Sequence, residues 1–215
     1  MSREQFARNW PSLQLKLFTL VLTSIVYVSP DSGWCLTRAP DIERLVAESD
    51  VILVGTVLED RSYTKNLRTY DQTKGYDPSG EFTYEEVLTD FLIQITEVLK
   101  GELVSVGENF TITSIGGIAT ERGAWTTMSY FLPKGEQVVI FADYDDKNDI
   151  WWGHQHSLGV YGIEESEGEQ YLTAQTKEPV FVGGEIVSRE EYMQSNKEEL
   201  TLTHVRELLV DWGSN

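Results

Sequence analysis

Asp50-Val51-Ile52-Leu53-Val54-Gly55-Thr56-Val57 is the stretch on which the fold turns. Val51, Ile52, Val54, Thr56 and Val57 are β-branched, which suits a pleated, packed surface better than a helix. A strand is therefore expected over 51–58. Upstream, Ile42, Leu45 and Val46 fall at helical spacing behind Asp41 and Glu43, so a short helix is expected over 41–48. Downstream, residues 60–84 are polar and rich in Tyr, Gly, Asp and Lys, the composition of a long loop or an irregular hairpin end.

The same reading carries on through the chain. In 86–99, Phe91, Ile93 and Ile95 alternate with Leu92, Gln94 and Thr96, and Lys100-Gly101-Glu102 closes a second strand. Residues 109–115 alternate again and stop at Gly116-Gly117, with a variable stretch following over 118–130. A turn at 132–136 leads into a fourth strand, Gln137-Val138-Val139-Ile140-Phe141-Ala142, and then into an acidic turn over 143–149. A hairpin is expected from 159–163 and 170–174, and Leu202, Val205, Leu208 and Leu209 make a helical stripe over 201–211. Short strands bracketed by two helices predict a mainly β fold, a small closed or partly closed antiparallel barrel.

Bulk properties narrow the function classes. The 215 residues carry 17 Lys and Arg against 35 Asp and Glu, a formal charge of −18. Such a surface repels phosphate backbones, so a nucleic-acid partner is not expected. It either keeps the protein soluble or steers cationic partners. At the N-terminus, Arg3, Arg8 and Lys16 precede an apolar run over 17–28 that breaks at Ser29-Pro30-Asp31-Ser32-Gly33. That is the layout of a secretory signal, and the run is short against the ~20 apolar residues of a bilayer-spanning helix. Residues 1–34 are thus expected to be a signal peptide or N-terminal membrane segment, and 35–215 a single domain, secreted or held in the cell envelope. Any membrane attachment runs through the N-terminus alone.

Cys35, the only cysteine, lies fifteen residues before Asp50. That spacing, the strand with Val54-Gly55-Thr56-Val57, the second strand's Val98-Leu99-Lys100-Gly101 ending and the later Gly135-Glu136-Gln137-Val138-Val139 together resemble the netrin-like, or tissue-inhibitor-of-metalloproteinases-like, superfamily, in particular its bacterial and archaeal secreted members. The likeness spans roughly residues 35–175. It implies an OB-like barrel of five to six strands, with a short N-terminal helix and a C-terminal helix. In the animal inhibitors a mature N-terminal cysteine sets its amine and carbonyl on a protease zinc, displacing the water of the open position. The resemblance gives that place to Cys35, with Leu36 and Thr37 beside it as partner-binding residues. With one cysteine in the chain, no internal disulfide accompanies it.

Other constellations are open to two readings. His154-Gln155-His156 puts two imidazoles on one face if the segment is extended, and Asp143, Asp145, Asp146 and Asp149 could add carboxylates to a metal site. A loop beginning Trp151-Trp152-Gly153 could equally hold both histidines by packing. Trp125, Trp151, Trp152, Tyr63, Tyr70 and Tyr76 form a recognition surface or cover the barrel ends. No catalytic residues and no cofactor are expected. The function expected is a non-enzymatic protein-binding module, including a metalloprotease-inhibitor-like one. The alternatives are a metal-dependent protein or enzyme using His154 and His156, and a structural envelope domain.

Overall fold

Val51, Ile52, Leu53 and Val54 are all buried, because the strand they open is covered on both faces. The computed structural model describes residues 37–38, 41–70, 81–121, 123–126, 128–154, 156–176, 180–182 and 185–213. In chain order the elements are β1 (Thr37–Arg38), α1 (Ile42–Glu48), β2 (Val51–Tyr70), β3 (Glu81–Lys100), β4 (Asn109–Ile115), β5 (Gly117–Ala119), β6 (Ala124–Thr126), β7 (Gln137–Asp145) and β8 (Ile150–Gly153). After a 3-10 turn (His156–Gly159) come β9 (Val160–Ser166), β10 (Glu169–Ala174), β11 (Val180–Val182), β12 (Glu185–Val187), α2 (Arg189–Ser195) and α3 (Leu202–Gly213).

Five strands close into a barrel in the order β2-β3-β4-β8-β7, with β7 returning to β2. Four of the contacts are antiparallel, and β4 meets β8 in parallel at Thr113 and Trp152. The barrel is therefore mixed rather than wholly antiparallel. A closed ring with an odd number of strands cannot alternate direction all the way round. The architecture is OB-like, and β9 and β10 extend the sheet outward from β7.

Strand period two sorts the apolar run onto two cores. Val51, Leu53 and Val57 point into the barrel with Phe91, Ile93, Ile95, Phe110, Ile112, Val138, Ile140 and Ala142. Ile52 and Val54 point outward with Val139, Phe141, Tyr161 and Leu172, where α1, α2 and α3 cover them through Leu45, Val46, Met193, Leu202 and Val205. Each side chain of this size, fully buried, contributes roughly 1.5–3 kcal/mol. Asp41 caps α1 by accepting from the Arg44 amide at 3.2 Å, and Lys100 Nζ donates to the Val46 and Ala47 carbonyls at its other end. Arg206 of α3 forks onto Glu97 of β3 at 3.1 and 2.7 Å.

Of the long loop or irregular hairpin end expected over 60–84, residues 60–70 and 81–84 are regular strand. Residues 59–70 pair with 81–92, so β2 and β3 form an arm of two 20-residue strands that outruns the barrel. The arm's polar sequence hides it, because backbone pairing rather than burial builds most of its length. Leu67 and Leu88 bury an apolar face on Ile150, with Trp152 and Tyr84 packed alongside, while Phe91 at the arm's base already points into the barrel. The expected loop at 151–153 is likewise strand β8. Among the described residues no helix is long and apolar enough to cross a membrane.

Candidate functional site

The N-terminal candidates separate at the start of the fold. Cys35 and Leu36 lie outside the described residues. Thr37 belongs to β1, pairing in parallel with Val180 of β11 as Arg38 pairs with Phe181. Its backbone is thus tied to the sheet formed by β11 and β12.

His154 sits in the turn after β8, where its amide donates to the Phe141 carbonyl at 2.7 Å. Nδ1 lies 2.7 Å from Asp143 Oδ2 and Nε2 lies 3.4 Å from Glu48 Oε2 on α1. A carboxylate can only accept, so Nδ1 carries the proton toward Asp143. A neutral ring would then turn the Nε2 lone pair on the Glu48 carboxylate, and protonation removes that repulsion. The hydrogen bond to Asp143 holds the His154 pKa above its ordinary value, against desolvation and the Arg44 charge, with Asp143 and Glu48 adding attraction. Arg44, bonded to Glu48 at 2.8 Å, in turn holds the Glu48 carboxyl below its usual range, with a further pull from His154.

Nε2 is sealed from solvent and makes no hydrogen bond of good geometry. The arrangement is a clamp joining α1 to β7 and β8. His156 opens a 3-10 turn, so the two histidines do not share an extended segment, and the His156 side chain lies outside the described residues. Among the described residues no three His, Cys, Asp or Glu side chains are grouped to hold a metal ion.

The clamp has a pH signature. Its folded pKa lies above the ordinary 6.5, so its contribution is complete below about pH 6.5 and is lost as pH rises through the raised value. Asp143→Asn is expected to flatten that slope. With the Asp143 side chain 37% exposed, the loss of stability near pH 6 should be about 1–2 kcal/mol. Urea midpoints at pH 6 and 8 check this; equal slopes in parent and variant would remove the clamp.

The acidic turn is spoken for internally. Asp145 accepts from the amides of Lys147 and Asn148, from Asn148 Nδ2 at 2.6 Å and from Trp152 Nε1. Asp149 accepts the Tyr144 hydroxyl at 2.6 Å. Asn148, so oriented, bonds both backbone groups of Arg68 and pins the long arm to the barrel. These carboxylates shape a turn and leave Asp143 to His154.

The aromatics split in two. Trp151 lies between Phe110 and Tyr144, ring centroids 5.4 and 5.0 Å away, and Trp152 packs under the arm. Tyr63 donates to Asp90 at 3.1 Å. Trp151 packs on the barrel core, and Trp152 and Tyr63 on the smaller cluster beneath the arm. The side chain of Tyr70 and all of Tyr76 lie outside the described residues.

Trp125 behaves otherwise. Gly116 and Gly117 have φ of 101° and 133°, and a Cβ on Gly117 would collide with the hydroxyls of Thr89 and Ser62. This close approach, fixed by Thr89 Oγ1 donating to the Gly116 carbonyl at 2.6 Å, lays the β5–β6 hairpin flat on β2 and β3. Gly117 and Ala119 face down, so Ile118 and its cross-strand partner Trp125 face out, 68% and 76% exposed. Phe131, half exposed, meets Phe91 edge-on. The sequence flagged Trp125 but not Ile118, whose outward direction follows from the glycine-set register.

No family model matches this chain. A search of curated proteins likewise gave no significant match.

Proposed function

We propose that this protein is a non-enzymatic protein-binding module of netrin-like type, working outside the cytoplasm, whose contact face includes Ile118 and Trp125. The supporting observation is the outward pair on β5–β6. A Trp and an Ile side by side on a strand face keep apolar area in water, a cost usually retained for recognition. Their mount is rigid, because the hairpin's other face is seated on the arm. Trp is the residue type most enriched among those that dominate interface energies. The protein's charge of −18 favours a partner with a basic rim, and predicts association that slows with salt.

Sealing of Nε2 speaks against proton transfer from His154 to a substrate, and the commitment of Nδ1 to Asp143 leaves the metal-dependent reading less support. Placement outside the cytoplasm rests on the basic and apolar pattern of residues 3–28. The protease-inhibitor version rests on the resemblance and needs Cys35 at the mature N-terminus, which N-terminal sequencing of the exported protein checks directly.

The module itself is tested by a photo-crosslinking residue at position 118 in the native host. One discrete adduct is expected, lost with Trp125→Ala, while that substitution changes folding stability by less than about 1 kcal/mol. An adduct pattern untouched by Trp125→Ala, or no adduct, sinks the reading and favours a structural envelope domain.

A further inference from the structure

Arg189 is the most deeply buried charge among the described residues, with 1% of its surface exposed. It opens α2 and reaches over the Tyr161 ring of β9, its Cζ 5.4 Å from the ring centroid. That stacking satisfies the face of the guanidinium and leaves its in-plane N–H edges. Nε, Nη1 and Nη2 are all buried without a hydrogen-bond acceptor, and the Tyr161 hydroxyl is buried without a partner as well. Burial pushes the Tyr161 phenol up to about 12, against the pull of the Arg189 charge, so it stays an O–H donor.

Among the described residues no carboxylate forms an ion pair with Arg189. Ile52, Phe141, Leu172, Met193 and Leu202 belong to the same apolar cluster as Tyr161. An arginine cannot shed its proton to escape such a place, and an uncompensated buried charge strongly destabilises a fold. The three buried guanidinium nitrogens therefore call for an anion, with the Tyr161 hydroxyl, drawn toward the Arg189 charge, beside them. A guanidinium fork matches the two oxygens of a carboxylate, and the phenol adds a third donor to one of them.

We propose that Arg189 and Tyr161 form an internal binding site for a single small carboxylate, which locks α2 onto β9. The carboxylate comes either from a free formate-sized anion or from this chain. Glu178 is the in-chain candidate. It lies outside the described residues, four positions beyond Ala174, the cross-strand partner of Tyr161. We commit to the free anion, because among the described residues no carboxylate pairs with Arg189.

The test is thermal unfolding of the full chain in sodium formate, titrated at fixed ionic strength against a bulky sulfonate salt. The melting temperature is expected to stay level below the dissociation constant and then climb with the logarithm of formate concentration, by about 5–10 °C at a hundredfold excess. Arg189→Met, which fills the space with an apolar chain, should melt independently of formate. Tyr161→Phe keeps the ring and should raise the formate concentration at which the climb begins by about tenfold or more, which serves if the Met variant does not fold. A parent that ignores formate overturns the proposal. If Glu178→Gln then creates a formate response, the carboxylate is the chain's own and the free-anion site is again overturned. A formate response surviving in Arg189→Met, or an unshifted onset in Tyr161→Phe, also overturns it.

Discussion

Phe91→Ala should cost about 3–5 kcal/mol, a large share of the ~5–15 kcal/mol that holds a typical domain together. Phe91 has no exposed surface and stands on β3 where the strand faces the barrel interior. Its ring centroid lies 5.9 Å from Tyr130 and 6.3 Å from Phe131. Truncation removes transfer free energy and leaves a hole that a closed ring of hydrogen-bonded strands cannot collapse to fill. For a chain of this length the melting temperature should fall by about 2–4 °C per kcal/mol, hence by about 10 °C. Urea unfolding of parent and variant measures it. A loss below about 1 kcal/mol would show that the barrel does not close around this ring. The contrast with Trp125→Ala is the useful part, since an aromatic of larger area is expected to be nearly silent in stability.

Gly159→Val is the second large effect. The residue is not in a strained conformation; it is simply in the way. A Cβ there would overlap the His154 amide nitrogen and the Phe141 carbonyl oxygen, the two atoms joined at 2.7 Å where the chain leaves β8. Both are backbone, so neither can swing aside. Overpacking together with the lost hydrogen bond should cost about 3 kcal/mol or more. The turn also aims His154 between Asp143 and Glu48, so the variant should lose the pH-dependent part of its stability along with the rest. A Gly159→Val protein with the parent's urea midpoint and pH slope would falsify this account of the turn.

Much of the barrel was legible in short windows. The strand over 109–115, the hairpin of β9 and β10, and the helices near 41–48 and 201–211 all appear where periodicity places them. What escaped had weak local signals. Strand β8 has four residues and follows an acidic turn, and it is strand because β7 and β4 flank it. Helix α2 did leave a signal, Ser188 three residues before Glu191, whose amide donates to the Ser188 hydroxyl at 3.1 Å. The candidate site was half visible. Trp125 could be named as an aromatic outside the core pattern, but its exposure depends on how Gly117 meets Ser62 and Thr89, far away in sequence.

The sequence by itself determined that two strands would be buried on both faces. Val51 to Val54 and Val138 to Ala142 are continuous apolar runs without a polar position to give to water, so a layer had to lie on each side. Tertiary structure alone decided which neighbours filled those layers. It packed Trp151 and Trp152 half-buried against the barrel core and the cluster beneath the arm while leaving Trp125 in solvent, turned His154 into a clamp on Glu48, and enclosed Arg189 against Tyr161. Period and propensity are local quantities and survive in a window of ten residues. Exposure and charge pairing depend on which distant strands meet, and they are fixed only when the ring closes.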